Sequence, residues 1–293
     1  MQYTEFPITC QEQVDLLESR GLVISDRDYA IDLLRKIGFY RLNTYGITFQ
    51  FKKNRYNGRT KIEDIERLYN FDRDLRNLYL STISRVEIPI RTRISYYLAQ
   101  EYGPFGYLTG TNFPEYFNHA QWVSNVQNEV DRSKEIFIQQ FKQQYQEDTQ
   151  GLPLWILTEV MSFGSLSLLF SGLKNSDKAE ISKEFNVHWK VLKSWLHCLV
   201  YTRNICAHHA RFWNRTLAIK PLIPRKVKKW RTPFSIDNNK VFSVFAITNY
   251  LIKNLSPEYH FKSKIIKFFD EYPHIDIRKI GFVTGWQSHK IWN

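Results

Sequence analysis

Tyr201-Thr-Arg-Asn-Ile-Cys-Ala-His-His-Ala-Arg-Phe-Trp-Asn-Arg215 closes a stretch, Val187 to Trp213, whose apolar residues recur at helical spacing. At seven-residue intervals one row reads Leu192, Leu199, Cys206, Trp213, and its neighbour reads Trp189, Leu196, Arg203, Ala210. Arg203 therefore falls on the apolar side, in line with Leu196. A charge there is costly unless it meets a carboxylate, a ligand or a second subunit. Arg203 is thus either a structural ion-pair partner or a functional cation, and something is expected to cover it.

Asn204 lies four residues before His208, so the two share a helix face. Asn204 either holds the imidazole in one tautomer or binds phosphate itself. On a straight helix His208 sits about 140° round from Arg203. The long arginine side chain, a local break, or a second copy of the motif narrows that gap. His209 falls in the row of Trp195 and Thr202, which suits packing or orientation. Arg203, Arg211 and Arg215 surround these rings, and nearby positive charge favours a neutral imidazole, the form a general base needs. An arginine with one or two histidines can hold a phosphate, stabilise its extra negative charge and move protons near neutral pH, without a metal.

Rival chemistries have weaker patterns. His197, Cys198, Cys206, His208 and His209 are potential metal ligands, but neither HExxH nor a paired CxxC occurs, so no metal and no cofactor is expected. Cys206 lies in the apolar row and reads as core packing rather than as a nucleophile. GxxxxGK(S/T) and GxGxxG are both missing from the sequence.

The 293 residues carry a formal charge of +12, which favours an anionic partner, RNA above all. From Phe185 to Ile236 there is no Asp or Glu, yet 11 cations fall in that span, nearly the whole net charge. A solvated basic face is the plain reading of such a run; an acid-free gap around a buried helix favours a functional one. Lys220 to Pro233 holds three prolines and six cations and reads as a loop. Its Lys220, Arg225, Lys226, Lys228, Lys229, Trp230 and Arg231 are the expected RNA contacts; Trp230 either stacks on a base or fills the core. Three cysteines (Cys10, Cys198, Cys206) argue against a disulfide framework and fit a reducing, cytoplasmic setting. No secretory pattern opens the chain. Val241 to Ile252 is too short to span a bilayer and reads as a buried helix, so no membrane partner is expected.

Helical signals dominate elsewhere, predicting an all-α fold. Gln11 to Ser19 is a helix stopped by Gly21; Ser25 or Asp26 caps another through Ile37, ended by Gly38. Phe39 to Lys52, rich in Tyr, Phe and Thr, reads as a short strand or an extended packing segment. Asp72 starts a long helix that Pro89 kinks and Gly103-Pro104 ends. Trp122 to Gln146 is one polar helix. Leu154 to Phe163 and Ser165 to Leu173 are helices broken at Gly164, and Asp177 to Phe185 is a short one. Asn239 to Leu255 and Phe261 to Tyr272 are the last. The division expected is an N-terminal helical region (1–65), a helical core (66–215), and a basic loop with C-terminal helices (216–293), together forming one compact unit.

Arg203-Asn204-x-x-x-His208 resembles the Rx4–6H motif of HEPN-domain ribonucleases. The wider sequence is similar to the Abi-like family of bacterial abortive-infection proteins, of the AbiD/AbiF type. The segments that carry this are Gly38-Phe-Tyr-Arg-Leu-Asn-Thr-Tyr45, Phe71-Asp-Arg-Asp-Leu-Arg76, Arg85-Val-Glu-Ile-Pro-Ile-Arg-Thr-Arg-Ile94, Leu154 to Gly164, Arg203 to His209 with Arg211 to Arg215, and Ile280 to Trp286. They span nearly the whole chain. The resemblance implies a HEPN-like helical bundle with N- and C-terminal helical extensions, homodimeric, with two motifs meeting at one cleft. It also implies a metal-independent endoribonuclease in phage defence, or a toxin, in which the RNA 2′-hydroxyl attacks and a cyclic phosphate is left. His208 is then general base or acid, Arg203 the phosphate clamp and Asn204 the positioning residue, with His209, Arg211 and Arg215 accessory. His209 adds an Rx5H spacing, so which histidine acts stays open. Glu87 and Glu159 lie in segments of the same pattern and are candidate partners for Arg203, although pairing with Arg91 is the plainer role for Glu87. An antitoxin protein or small RNA is a further partner.

The alternative is a non-catalytic RNA-binding module that docks a structured small RNA or a partner protein, supported by the basic, aromatic loop. A DNA-binding regulator ranks third, without a helix-turn-helix pattern behind it.

Overall fold

The first helices begin where the sequence supplies a cap. In α1 (Cys10–Ser19) the Thr9 hydroxyl accepts from the Glu12 amide while the Glu12 carboxylate accepts from the Thr9 amide, which satisfies two end donors at once. Asp26 caps α2 (Arg27–Ile37), and Gly38, at φ 86°, ends it. The computed structural model describes residues 6–145 and 151–292. Among them are twelve α-helices, several 3-10 turns, and no strand beyond two isolated bridges, so the fold is all-α.

Phe39 to Phe49 is helical rather than a strand: Phe39–Gly46 forms α3, followed by a 3-10 turn over Ile47–Phe49, after which Gln50 is extended and Lys52 forms an isolated bridge with Arg55. Leu42 and Tyr45, three apart, are both buried, so the helical period of the buried positions overrides the strand preference of the aromatic residues. The long helix, α4 (Ile62–Tyr102), starts well before Asp72. Asp72 is no cap: it is fully buried and its Oδ2 meets the Arg76 guanidinium at 2.5 Å, one turn on. Pro89 lies inside α4 without ending it. Tyr79, Thr82, Val86, Ile90 and Ile94 form its buried stripe.

The polar stretch from Trp122 divides at Ser133 into α5 (His119–Arg132) and α6 (Ile136–Tyr145); the expected last residue, Gln146, lies outside the described residues. Between α7 (Leu154–Val160) and α8 (Phe163–Gly172) the break falls at Met161-Ser162 rather than at Gly164, because Ser162 caps α8 by accepting from the Ser165 amide. Then come α9 (Asn175–Lys183), α10 (Trp189–Ala207), α11 (Val241–Leu255) and α12 (Phe261–Asp270).

The chain divides into two compact units, and the boundary falls within α4, after Asn77, not at residue 65. The first unit takes the described residues up to Asn77 together with Tyr272–Ile275. Its centre is polar: the Tyr45 hydroxyl donates to Asp72 Oδ2 (2.7 Å), and burial and the Asp72 charge push that phenol's pKa up. The second unit takes Leu78–Glu271 and the chain from Asp276 onward, so residues 216–293 fold with the helical core apart from the Tyr272 segment. In it α10 packs on α8, α9 and α11, and every residue of α11 from Val241 to Ile252 is buried, as a helix apolar all round must be. The irregular C-terminal tail closes on α11 and α12 through Phe282, Trp286 and Trp292. No helix among the described residues is long and apolar enough to cross a membrane.

Replacing Asp72 by Ala strands the Arg76 guanidinium, 3% exposed, without its carboxylate. Urea unfolding should show a loss of about 3–5 kcal/mol. A loss below about 1 kcal/mol would mean that Arg76 finds another acceptor or reaches water.

Candidate active site

Helix α10 is laid down by its apolar side: Leu192, Trp195, Leu196 and Leu199 are fully buried. His188 caps its start by accepting from the Lys190 amide. Its end falls within the motif. Ala207 is the last helical residue, His208 is the cap at φ −87°, and His209 turns left-handed at φ 56°. The Ala210 amide donates back to the Ile205 carbonyl (3.0 Å) and the His209 amide to that of Cys206 (3.1 Å). These two bonds form a Schellman turn, which satisfies end carbonyls of the helix and takes the chain out of line. The continuous helix expected to Trp213 is therefore interrupted, and His209 does not join the row of the buried Trp195 and Thr202; it is exposed. Trp213 is buried, but from beyond the helix end.

Arg203 is not sunk in the apolar row. Its side chain is 39% exposed, and Nε faces Glu87 Oε2 at 3.8 Å. Its Nη1 donates to Asn204 Oδ1 (3.2 Å), which ties the guanidinium to its neighbour. Glu87, on α4, is only 13% exposed and is shared: Oε1 also accepts from Nη2 of the buried Arg91 at 3.0 Å. Nη1 of Arg91 donates to the carbonyls of Thr158 and Met161, at the turn between α7 and α8. Glu87 thus fills both roles weighed for it, while Glu159 is exposed and makes no ion pair among the described residues.

Asn204 and His208 line an open groove of about 390 Å³ with His197, Val200, Tyr201, Ile205 and Ile219. His208 lines it and His209 does not. Positions 197, 200, 201, 204 and 208 repeat at helical spacing, so the half-apolar stripe that forms the wall is present in the sequence. Ile219, contributed by the chain after the turn, carried no such signal. The Ala218 amide donates to the Tyr201 hydroxyl at 3.4 Å and brings that chain across.

The basic segment is pinned beside α10. The Trp195 indole donates to the Leu222 carbonyl (2.7 Å), and the Leu222 amide donates to Ser194 Oγ (2.9 Å). Lys220, Arg225, Lys226, Lys228, Lys229 and Arg231 are exposed and form no ion pair among the described residues. Arg211 and Arg215 are half-buried, and Arg215 directs Nε to the Arg211 carbonyl at 2.7 Å, so part of its role is to hold the turn. Trp230 is no base-stacking platform. It is 1% exposed, packed on Trp195 and Tyr250 with ring centroids 5.3 and 5.5 Å away, because only a large apolar ring fills the space under the loop. Cys206 is buried, and burial pushes the Cys198 thiol up to about 12, which leaves that group a poor nucleophile.

A family model described as Abi-like protein matches residues 32–214. The chain belongs to the Abi-like family. No curated protein and no solved structure matches it. The family match of this Abi-like protein takes in the Asp72–Arg76 pair, the Glu87–Arg91 pair, the α7–α8 turn and the whole of Arg203 to His208, and it ends before the basic loop.

A left-handed backbone at a residue with a Cβ costs about 1–2 kcal/mol, and a β-branched side chain raises that cost. His209→Gly should therefore keep or slightly raise the midpoint of thermal unfolding, while His209→Val lowers stability by about 1–2 kcal/mol. Equal losses in both variants would show that the ring's own contacts, not the backbone, set the turn.

Proposed function

We propose that this Abi-like chain is a metal-independent endoribonuclease of the HEPN type. It acts in the cytoplasm in abortive infection of phage-infected cells, or as a toxin held in check by an antitoxin protein or small RNA. The observation that carries the reading is the last turn of α10: Arg203, paired with Glu87, is bonded to Asn204, which lies one helical turn from His208 and lines an open groove with it. In this reading Arg203 holds a non-bridging oxygen of the scissile phosphate and Asn204 fixes its register. His208 removes the proton of the RNA 2′-hydroxyl; that oxygen bonds to phosphorus, the P–O5′ bond breaks, and the departing 5′-oxygen takes a proton from a second acid. The products are a 2′,3′-cyclic phosphate and a 5′-hydroxyl end.

One His208 cannot supply both proton transfers in a single step, and a homodimer would supply the second. The surface suits a second copy: Val200 in the groove wall lies against Gly164 of α8, and Leu168, one turn further along that helix, is 55% exposed. Trp155 on α7 and Ile88 beside Glu87 are also exposed. The six exposed cations of the loop would bind RNA backbone through counterion release.

With chelator present, the wild type should cut single-stranded RNA, and His208→Ala should cut at least about a hundredfold more slowly. Equal rates would remove His208 from the chemistry. The second reading, RNA binding without cleavage, rests on the same loop. Steeply salt-dependent affinity with no product at any protein concentration would favour it.

A further inference from the structure

A second cluster of cations lies outside the groove lined by Asn204 and His208 and shares none of its residues. Lys229 (in the 3-10 turn Lys228–Trp230), Lys253 (last turn of α11) and Lys290 (C-terminal tail) line a pocket of about 260 Å³ with Asn186, Asn254, Tyr250 and Ile291. Among the described residues no carboxylate lines it, and none of the three lysines forms an ion pair.

The walls are held in place. The Tyr250 hydroxyl donates to the Asn186 carbonyl (3.0 Å), the Asn254 amide donates to the Tyr250 carbonyl (3.1 Å), and the Lys290 amide donates to the Thr232 carbonyl (3.0 Å). Trp230, packed at a tilt against Trp195 and Tyr250, sets the turn so that Lys229 Nζ lies over the Tyr250 ring, 4.2 Å from its centroid. Burial lowers the ammonium pKa of both Lys229 and Lys253, and Lys262 and Lys229 lower that of Lys253 further. The end of α11 favours one cation through its dipole. It does not account for the two that other segments bring to it.

We propose that this pocket binds a phosphate group carrying more than one negative charge: a terminal phosphate or a polyphosphate chain. A phosphodiester brings a single charge, whereas a terminal phosphate brings about two and a polyphosphate more, the better match to three ammonium groups. The one aromatic face in the pocket is already covered by Lys229, so no ring is left to stack on a base. Recognition is therefore of phosphate, not of sequence. The group comes either from an RNA end or from a free nucleotide; in both cases it sits apart from the groove, and the pocket does not require that the groove cleaves.

Isothermal titration of the full chain with inorganic tripolyphosphate, in chelator, is the direct test. One-to-one binding is expected, about tenfold weaker in each of Lys253→Gln, Lys290→Gln and Lys229→Met, and unchanged in Lys193→Gln, an exposed cation outside the pocket. All three pocket lysines are solvent-exposed, and an unchanged near-UV circular dichroism spectrum confirms the fold of each variant. Two RNA arms in the His208→Ala background identify the source. If 5′-phosphorylated RNA outbinds 5′-hydroxyl RNA of the same sequence, and Lys253→Gln abolishes the difference, the ligand is an RNA end. If only free nucleoside triphosphate displaces tripolyphosphate, it is a nucleotide. No binding, equal binding by every lysine variant, or loss in Lys193→Gln alone would overturn the proposal. An inactive groove with intact tripolyphosphate binding would fail the nuclease reading and leave this one standing.

Discussion

One carboxylate shared by two guanidinium groups organises the candidate site. Glu87 is nearly buried, where an ionised carboxylate is stable only with close positive partners. Arg91 supplies the first, and its Nη1 donates to the carbonyls at the α7–α8 turn. Arg203 supplies the second from α10. Three segments far apart in sequence are thereby referred to one point, and the orientation of Arg203 becomes a property of the fold rather than of a surface side chain. The longer 3.8 Å contact and the partial exposure of Arg203 leave its outer nitrogens able to meet an anion.

Much of this was legible in the sequence, and the misses share a cause. Helix caps at Asp26, the stop at Gly38, the buried α11 and the stripe along α4 follow from spacing and end residues. Phe39 to Gly46 misled because aromatic and β-branched content marks a half-buried surface, and a helix offers one as readily as a strand. Asp72 resembled a helix start because aspartates usually cap; its partner, Arg76, lies one turn on, and only burial reveals the pair. Gly164 resembled a break because the cap at Ser162 is worth more than one helical glycine costs.

The motif's apolar rows run on to Trp213, and a local break is only one of the ways to bring Arg203 and His208 together; the structure places that break after Ala207. The signal for a Schellman turn is glycine, and here a histidine occupies the left-handed position. The turn separates two histidines that adjacency made equivalent: His208 stays on the Asn204 face of the groove, and His209 is carried off it. It also sends the chain back across α10, so that Ile219 completes the groove and the basic loop is anchored on Trp195. The acid-free segment is therefore not one uniform patch. Its aromatic member became core, most of its cations stayed on the loop surface, and Lys229 was drawn into company with Lys253 and Lys290, which no local pattern groups together.

The dependence of Arg203 on Glu87 is tested most directly by a double-mutant cycle of Glu87→Gln and Arg203→Gln, read as the rate of RNA cleavage in chelator. Glutamine at 87 still accepts from Arg91 but no longer offers a charge to Arg203. If Glu87 acts by fixing Arg203, each single variant loses activity, and Glu87→Gln costs nothing further once Arg203 is gone. Losses that simply multiply, or full activity in Glu87→Gln, would contradict it.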